Sequence, residues 1–476
     1  MKEEKKTAAQ KEWCRPAERI GLGLGDMGMS FGWVMVSLYI SYFFTDVVGL
    51  SVGAVATLLI VARIWDGIND PLTGLVVDRT RTRWGSCRPW LLWCIIPNAL
   101  FAILLFSDMG KTDTAKLVIA YIGYLLYCAA YSMIATPLTA ILPSMTNNYA
   151  ERTKVMSVRM IISRVATLIV TLFGMRMVMA LGRGNEARGF TLTMSVFGVL
   201  SAIMLLIAFF TVRERFPFAS QEHVPLKTSV RALKGNWPWL VILILNIINM
   251  IGISMFQQTV VYTVKYVLKM PGFPLIIFFV AGTFLGMLTS IKLASRFKKR
   301  DIHIVGSAIY FVGLTGGFIF TGNITLPLLI AFTVIGGVGL GITTPITFSM
   351  LADAAEYGAW KNHVTATGLT FTAATFGTKV GTSIGGAAGL LVMSAGGYVA
   401  NAAQTPEAIN AIRLSGYVIP ALSCLGAIVC LLFYKLDKQY PQIKAELDAR
   451  RALQSTRAES QDDESLGNII NKTETA

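Results

Sequence analysis

Two carboxylates set four residues apart, Asp66 and Asp70, stand inside a long apolar stretch running from about Val52 to Val77. A helix brings an i, i+4 pair to one face. Ionisable groups at membrane depth are costly to desolvate, turn towards the bundle interior or a watery cavity, and mark ion or proton pathways. Two carboxylates this close suit a shared proton, and their oxygens equally suit a hard cation such as Na⁺. Asn69 and the hydroxyls of Thr73 and Ser132 are candidates to complete the shell. The rival reading pairs Asp66 with Arg63, one turn away, and Asp70 with a lysine elsewhere, as ion pairs that only lock helices.

The elements that must hold this pair are membrane helices. The chain has 476 residues, 54% hydrophobic and only 14% charged, with a mean hydropathy of +0.58, far from a soluble globule. At roughly 20 residues per span, about twelve helices are expected, centred near residues 38, 64, 98, 130, 168, 201, 250, 284, 312, 338, 380 and 422. No alternating barrel pattern runs through the chain, so the fold class is all-α integral membrane. A polar stretch between Arg213 and Trp237 divides the spans into two sets of six. The expected units are a segment 1–19, a first bundle 20–212, a linker 213–236, a second bundle 237–435 and a partly disordered tail 436–476.

Lys and Arg concentrate in the segments that lie inside if the N-terminus is cytoplasmic, among them Arg79, Arg81, Arg83, Arg88, Arg152, Lys154 and Arg296 to Arg300. Both termini are therefore expected in the cytoplasm, in a bacterial inner membrane. The net charge of +15 reads as topology plus attraction to anionic lipid, and nucleic acid is not an expected partner. Six cysteines give no disulfide framework, and three histidines in separate loops give no zinc site. Walker-type loops are missing, which excludes ATP-driven pumping within the chain. Gly336-Gly-Val-Gly-Leu-Gly341 sits in an apolar helix and reads as packing.

Gly74-Leu-Val-Val-Asp78-Arg79-Thr-Arg81-Thr-Arg83-Trp84-Gly85, after the second span, resembles the loop between helices 2 and 3 of the major facilitator superfamily. Four further motifs stand in collinear order: Tyr42-Phe-Phe-Thr45-Asp46-Val-Val-Gly49, Ala62-Arg63-Ile-Trp65-Asp66-Gly-Ile-Asn69-Asp70-Pro71, Arg88-Pro89-Trp90 and Ala352-Asp353-Ala-Ala-Glu356-Tyr357-Gly358. Together they resemble the glycoside–pentoside–hexuronide:cation symporters, the family of the melibiose permease. The resemblance implies two rocking six-helix bundles with one site between them, a coupling cation, Na⁺ or H⁺, at Asp66 and Asp70, and no other cofactor. It places Lys379, in the eleventh helix, against the cation site, and Arg159, in the fifth, near the sugar.

The same resemblance shows departures. The acids that hold galactosyl hydroxyls on helices 1 and 4 are replaced by Ser30 and Ala135, the helix 4 tryptophan by Thr139, and the lysine–aromatic pair after Gly85 by Ser86-Cys87. A galactoside pocket of that type is not expected. Asp26, Tyr39, Tyr131, Trp65, Asn246, Asn249, Gln257, Thr343 and Thr367 remain as polar or aromatic groups to line a sugar cavity. Asp78, Arg79 and Arg83, with Asp353 and Glu356 in the second half, are either a solvated, topology-setting set or a gate.

The expected function is thus a secondary symporter that imports a sugar or glycoside, acting as a monomer, with a polytopic membrane enzyme as the rival class. Arg63, Arg159, Arg164 and Arg176 outnumber the intramembrane acids of the first bundle. An anionic sugar, a glucuronide or sulfo-sugar held by Arg159, would redress the balance. The neutral alternative has Asp353 or Glu356 reach across to the surplus arginines.

Overall fold

The computed structural model describes residues 13–146, 149–215, 235–270, 272–294, 296–323, 325–362, 367–437 and 439–447. Apart from one isolated bridge between Thr82 and Gly85, the regular structure among these residues is helical. In the first half, α1 covers Pro16–Tyr42, α2 Val52–Arg79, α3 the two pieces Arg88–Trp93 and Ile95–Leu105, α4 Asp113–Ala140, α5 Tyr149–Gly182 and α6 Glu186–Thr211. In the second, α7 covers Trp237–Tyr262, α8 Leu275–Ala294, α9 Lys299–Asn323, α10 Leu326–Asn362, α11 Thr367–Ala395, and α12 the pieces Pro406–Arg413 and Ile419–Leu432. Among the described residues ten helices are long and apolar enough to cross a bilayer. The divided α3 and α11 complete the twelve spans expected from the hydropathy.

Local chemistry sets the helix ends and breaks. Ser51, Thr112, Asn185, Asn236 and Thr405 accept from the backbone N–H three residues on and cap α2, α4, α6, α7 and α12. In α3 the ladder fails at Cys94, because Pro97 offers no N–H and its ring opposes the carbonyl of Trp93. The halves repeat one another at the ends of their first helices. Phe43–Val47 follows α1 and Thr263–Val267 follows α7 as matching π-turns, closed by Val48 N–H to Phe43 O and Leu268 N–H to Thr263 O, both at 2.9 Å.

Membrane packing inverts the usual amphipathic order, and α2 shows it. Ile60, Ile64, Ile68, Leu72 and Leu75 are exposed at steps of three and four, while Ala62, Asp66, Asn69, Thr73 and Val77 are buried on the other face. The carboxylates therefore point inward because the apolar stripe points at lipid. Between α8 and α10 the contact is backbone to backbone. A side chain at Gly282 would meet Val334 O at 2.2 Å, and one at Gly341 would meet Thr283 O at 2.1 Å. The glycine run near residue 336 is a packing surface.

Three cores hold the molecule. One runs through both halves on the side away from the linker, from Phe31, Tyr42 and Phe43 to Phe256, Tyr262 and Tyr417. The other two lie on the linker side, one within each half, around Leu138 and Val155 in the first and around Ile346 and Met350 in the second. Among the described residues, the core shared by the halves lies on the far side. Residues 436–437 and 439–447 of the tail are helical and lie against α10, where Tyr440 donates to Glu356 at 2.7 Å and Trp360 Nε1 to Glu446 at 2.6 Å. Linker residues 216–234 lie outside the described residues, as does the tail beyond 447.

Candidate functional site

Asp66 and Asp70 sit on the buried side of α2 in unequal surroundings. The Asp66 side chain, 5% exposed, receives Arg63 Nη1 at 3.4 Å from within the same helix. Asp70, 35% exposed, accepts from Ser132 of α4 at 2.7 Å and from Lys379 of α11. Lys379 belongs to the opposite half, so Asp70 is a joint between the bundles. Both pairings of the rival reading are present, and so is the serine proposed for an ion shell. Thr73 Oγ1 and Asn69 Nδ2, a turn or less from Asp70, are buried without a hydrogen-bond partner. Two carboxylates, two hydroxyls and an amide make an oxygen-rich set suited to a hard monovalent ion or a proton. Among the described residues no group of three or more His, Cys, Asp or Glu gathers to hold a metal.

Arg63 reaches beyond the carboxylates. Its guanidinium lies 5.1 Å from the centre of the Trp33 ring, and Trp33 stacks on Tyr131 at 5.0 Å. Those two rings form one wall of a cavity of about 420 Å³ between the halves. Its polar lining comes from α1 (Asp26, Ser30, Ser37), α5 (Ser163, Arg164, Thr167, Thr171) and Gln257 of α7. An aromatic wall with converging hydroxyls is what a sugar ring requires.

Arg159 is buried beside this cavity with its charge already answered. Its Nη2 donates to Asp26 at 2.8 Å, and the group also reaches Leu138 O at 3.3 Å and Thr139 Oγ1 at 3.4 Å. Ser30 meets Ser163 at 2.8 Å across the cavity edge. Ala135 is not part of the cavity lining and serves as the carbonyl acceptor for Thr139 at 2.9 Å. Tyr39 lines a separate small pocket on the far side with Tyr42 and Arg176. Trp65 turns to lipid and donates to Leu125 O at 3.1 Å, and Asn246 ties α7 to α11 through Ala374 O and Thr378. Thr343 bonds within its own helix, and the Thr367 side chain lies outside the described residues.

On the linker side, among the described residues, Asp353 and Glu356 accept hydrogen bonds from partners in their own half. Lys299 donates to Asp353 at 2.6 Å and Tyr440 to Glu356, all within the second half. Arg83 stacks on Trp84 at 4.8 Å, Arg79 is exposed at the end of α2, and the Asp78 side chain lies outside the described residues. The loop itself is fastened to its own half. Glu214 accepts from the N–H groups of Ser86, Cys87 and Arg88 at 2.9 to 3.0 Å, the place a carboxylate favours at a helix N-terminus. His303 is not in a loop as the sequence led us to expect. It is buried in α9 between Thr347, at 3.0 Å, and Ser307, at 3.2 Å, while His223 and His363 lie outside the described residues.

A second charged cluster, on the far side, was not anticipated. Asp46, its side chain fully buried, accepts from Lys265 at 2.9 Å, from Tyr398 at 2.6 Å and from Tyr266, and Asn401 donates to its carbonyl. Lys265 also reaches Tyr42 at 3.0 Å, Thr45 meets Tyr262 at 2.9 Å, and Ser41 donates to Gln258 at 2.7 Å. Every one of these contacts joins the first half to the second.

The comparisons decide the family. A model for "MFS/sugar transport protein" matches residues 21–438. The chain belongs to that family. It is 34% identical to the isoprimeverose transporter of Lactiplantibacillus pentosus, with 94% of each chain covered, and 30% identical to the inner membrane symporter YicJ of Escherichia coli strain K12, over 88% of this chain and 92% of that one. Its fold matches the crystal structure of a bacterial homologue of the human lysosomal transporter Spinster, with a TM-score of 0.67 and 13% identity over 90% and 98% of the two chains. The resemblance to glycoside–pentoside–hexuronide:cation symporters drawn from the motifs therefore holds, and with it the major facilitator fold.

Proposed function

We propose that this chain imports a glycoside or related sugar together with Na⁺ or H⁺ across a bacterial inner membrane, by rocking one half against the other. The observation that carries this reading is Asp70, half-exposed and held by Ser132 of one half and Lys379 of the other. An ion or proton arriving at Asp70 must displace Lys379. Occupancy is thereby tied to a contact between the halves, the differential interaction that coupling needs. The names of the relatives, an isoprimeverose transporter and an inner membrane symporter, support sugar as cargo and a coupling ion.

The cavity between Trp33, Tyr131 and the hydroxyls of α5 is the sugar site in this reading. The linker side is cytoplasmic because the basic residues gather there. The shared far-side core and the Asp46 cluster then close the outer face, with the cavity facing inward. Reconstituted protein should exchange labelled isoprimeverose or 4-nitrophenyl glycosides in counterflow without any gradient, and accumulate them only when Na⁺ or protons run inward. Absence of counterflow with the whole panel would overturn the carrier reading, and accumulation indifferent to both gradients would overturn coupling.

A further inference from the structure

The translocation core is one carboxylate short. Arg63, Arg159, Arg164 and Lys379 face Asp26, Asp66 and Asp70, and three of those cations are spoken for: Arg63 by Asp66, Arg159 by Asp26 and Lys379 by Asp70. Arg164 is the exception. Among the described residues it has no ion-pair or hydrogen-bond partner, and it is exposed in the cavity whose lining holds a single acid, the already paired Asp26. Its aim is set by the helix. Met160, Ser163, Arg164, Thr167 and Thr171 all line the cavity; residues 160, 164, 167 and 171, at steps of four, three and four, with Ser163 beside them, share one face of α5.

An unpaired guanidinium is tolerable while the cavity holds water. It becomes costly when both ends of the carrier close around the cargo, because the solvent that screened it is excluded at membrane depth. A neutral sugar leaves that charge unanswered. We infer that Arg164 anchors an acidic group of the cargo, so that the cavity takes glycosides bearing a carboxylate, while the Trp33–Tyr131 wall receives the apolar face of the ring. A guanidinium fork pairs with a carboxylate through two parallel hydrogen bonds. The inference rests on the reading of this cavity as the sugar site and moves the anion anchor from Arg159, already held by Asp26, to Arg164.

The test is equilibrium binding to the purified full chain, using 4-nitrophenyl glucuronide and the matching glucoside in both anomeric forms. In one anomeric pair at least, the wild type should bind the acid about tenfold or more tightly, the scale of a charge-assisted hydrogen bond. Arg164→Gln should bring the acid down to the affinity of its neutral partner, and Arg164→Lys should leave an intermediate preference. An acid that binds no better than its neutral partner in both pairs overturns the inference, and so does a preference that survives in Arg164→Gln. The underlying site assignment has its own control. Trp33→Ala must weaken the neutral and acidic glycosides alike, and unchanged binding of both would remove the cavity as the sugar site whatever Arg164 does.

Discussion

Arg63 holds Asp66 at 3.4 Å with one nitrogen while its guanidinium carbon sits 5.1 Å from the centre of the Trp33 ring. One side chain thus touches both the carboxylate pair and the aromatic wall of the cavity. Cation–π contacts contribute about 0.5–2 kcal/mol depending on desolvation. An ion that draws Asp66 away therefore changes how firmly the wall is held. Arg63→Lys keeps the charge and loses the planar contact. It should weaken glycoside binding about threefold to tenfold and reduce the enhancement of that binding by Na⁺ or acid. Titrations of glycoside binding with and without each ion measure both, and an unchanged ion dependence would confine Arg63 to helix packing.

The two carboxylates should respond differently to neutralisation. Asp66→Asn leaves Arg63 without its acid in a nearly closed site, where breaking a buried pair costs about 3–5 kcal/mol; Asp70→Asn acts at a half-exposed site that still has Ser132. Both should abolish gradient-driven accumulation. Only Asp70→Asn should retain counterflow near the wild-type rate, and Lys379→Ala should behave as Asp70→Asn does. Proteoliposome uptake with imposed gradients checks this, and full accumulation in either Asp variant would remove that residue from the coupling set.

The parts of this site that could be read from the sequence were those whose chemistry clashes with their surroundings. A carboxylate in an apolar run has few readings, so Asp66 and Asp70 stand out individually, whereas Lys379 is placed by the family resemblance. Their partners were harder, because Arg159 meets Asp26 across 133 residues of chain and no periodicity reports such a contact. The far-side cluster shows the same limit. Asp46 lies in a motif with a family likeness, but Lys265, Tyr398 and Asn401 come from the end of α7 and the connection before α12. One clue was available: Tyr42 and Tyr262 stand at equivalent places of the two halves, each before a π-turn. Placing the repeats side by side would have brought Asp46 and Lys265 to one layer.

The loop after α2 should owe its stability to Glu214. Gly85 has φ +109°, and a side chain there would come within 2.4 Å of the Glu214 carboxyl carbon, while that carboxylate holds three backbone N–H groups at the start of α3. Gly85→Ala is thus opposed twice, by backbone strain and by overlap with a fixed carboxylate. Glu214→Gln removes the charge but keeps an acceptor. Gly85→Ala should cost at least about 2 kcal/mol and Glu214→Gln about 1 kcal/mol. Thermal unfolding of the purified variants ranks them, and the reverse order would show that the turn tolerates a side chain.

The last prediction concerns the far side, where Asp46 holds Lys265, Tyr266 and Tyr398 of the other half. Asp46→Asn leaves the half-buried Lys265 facing a neutral group, and a cost of about 2 kcal/mol there, below that of breaking a fully buried pair, is enough to change the ratio of two conformations on the order of thirtyfold. The expected result is an outward shift. A cysteine placed at Ser37, in the cavity lining, should react with an impermeant maleimide from the far side much faster in Asp46→Asn and in Lys265→Gln than in the parent. The double variant should react more slowly than either single one, because it leaves no unpaired charge. The seal should also be insensitive to pH through the neutral range. Burial first, and then the Asp46 charge, push the Tyr398 hydroxyl above the ordinary phenol pKa of about 10. Its donated hydrogen bond is then fully present below that value and is lost only as pH climbs through the raised one. Labelling that stays slow in both single variants would show that Asp46 and Lys265 do not hold the outer face closed, and a labelling rate that changes near neutral pH after division by that of the same cysteine in unfolded protein, which removes the thiolate's own titration, would assign the seal to another titrating group.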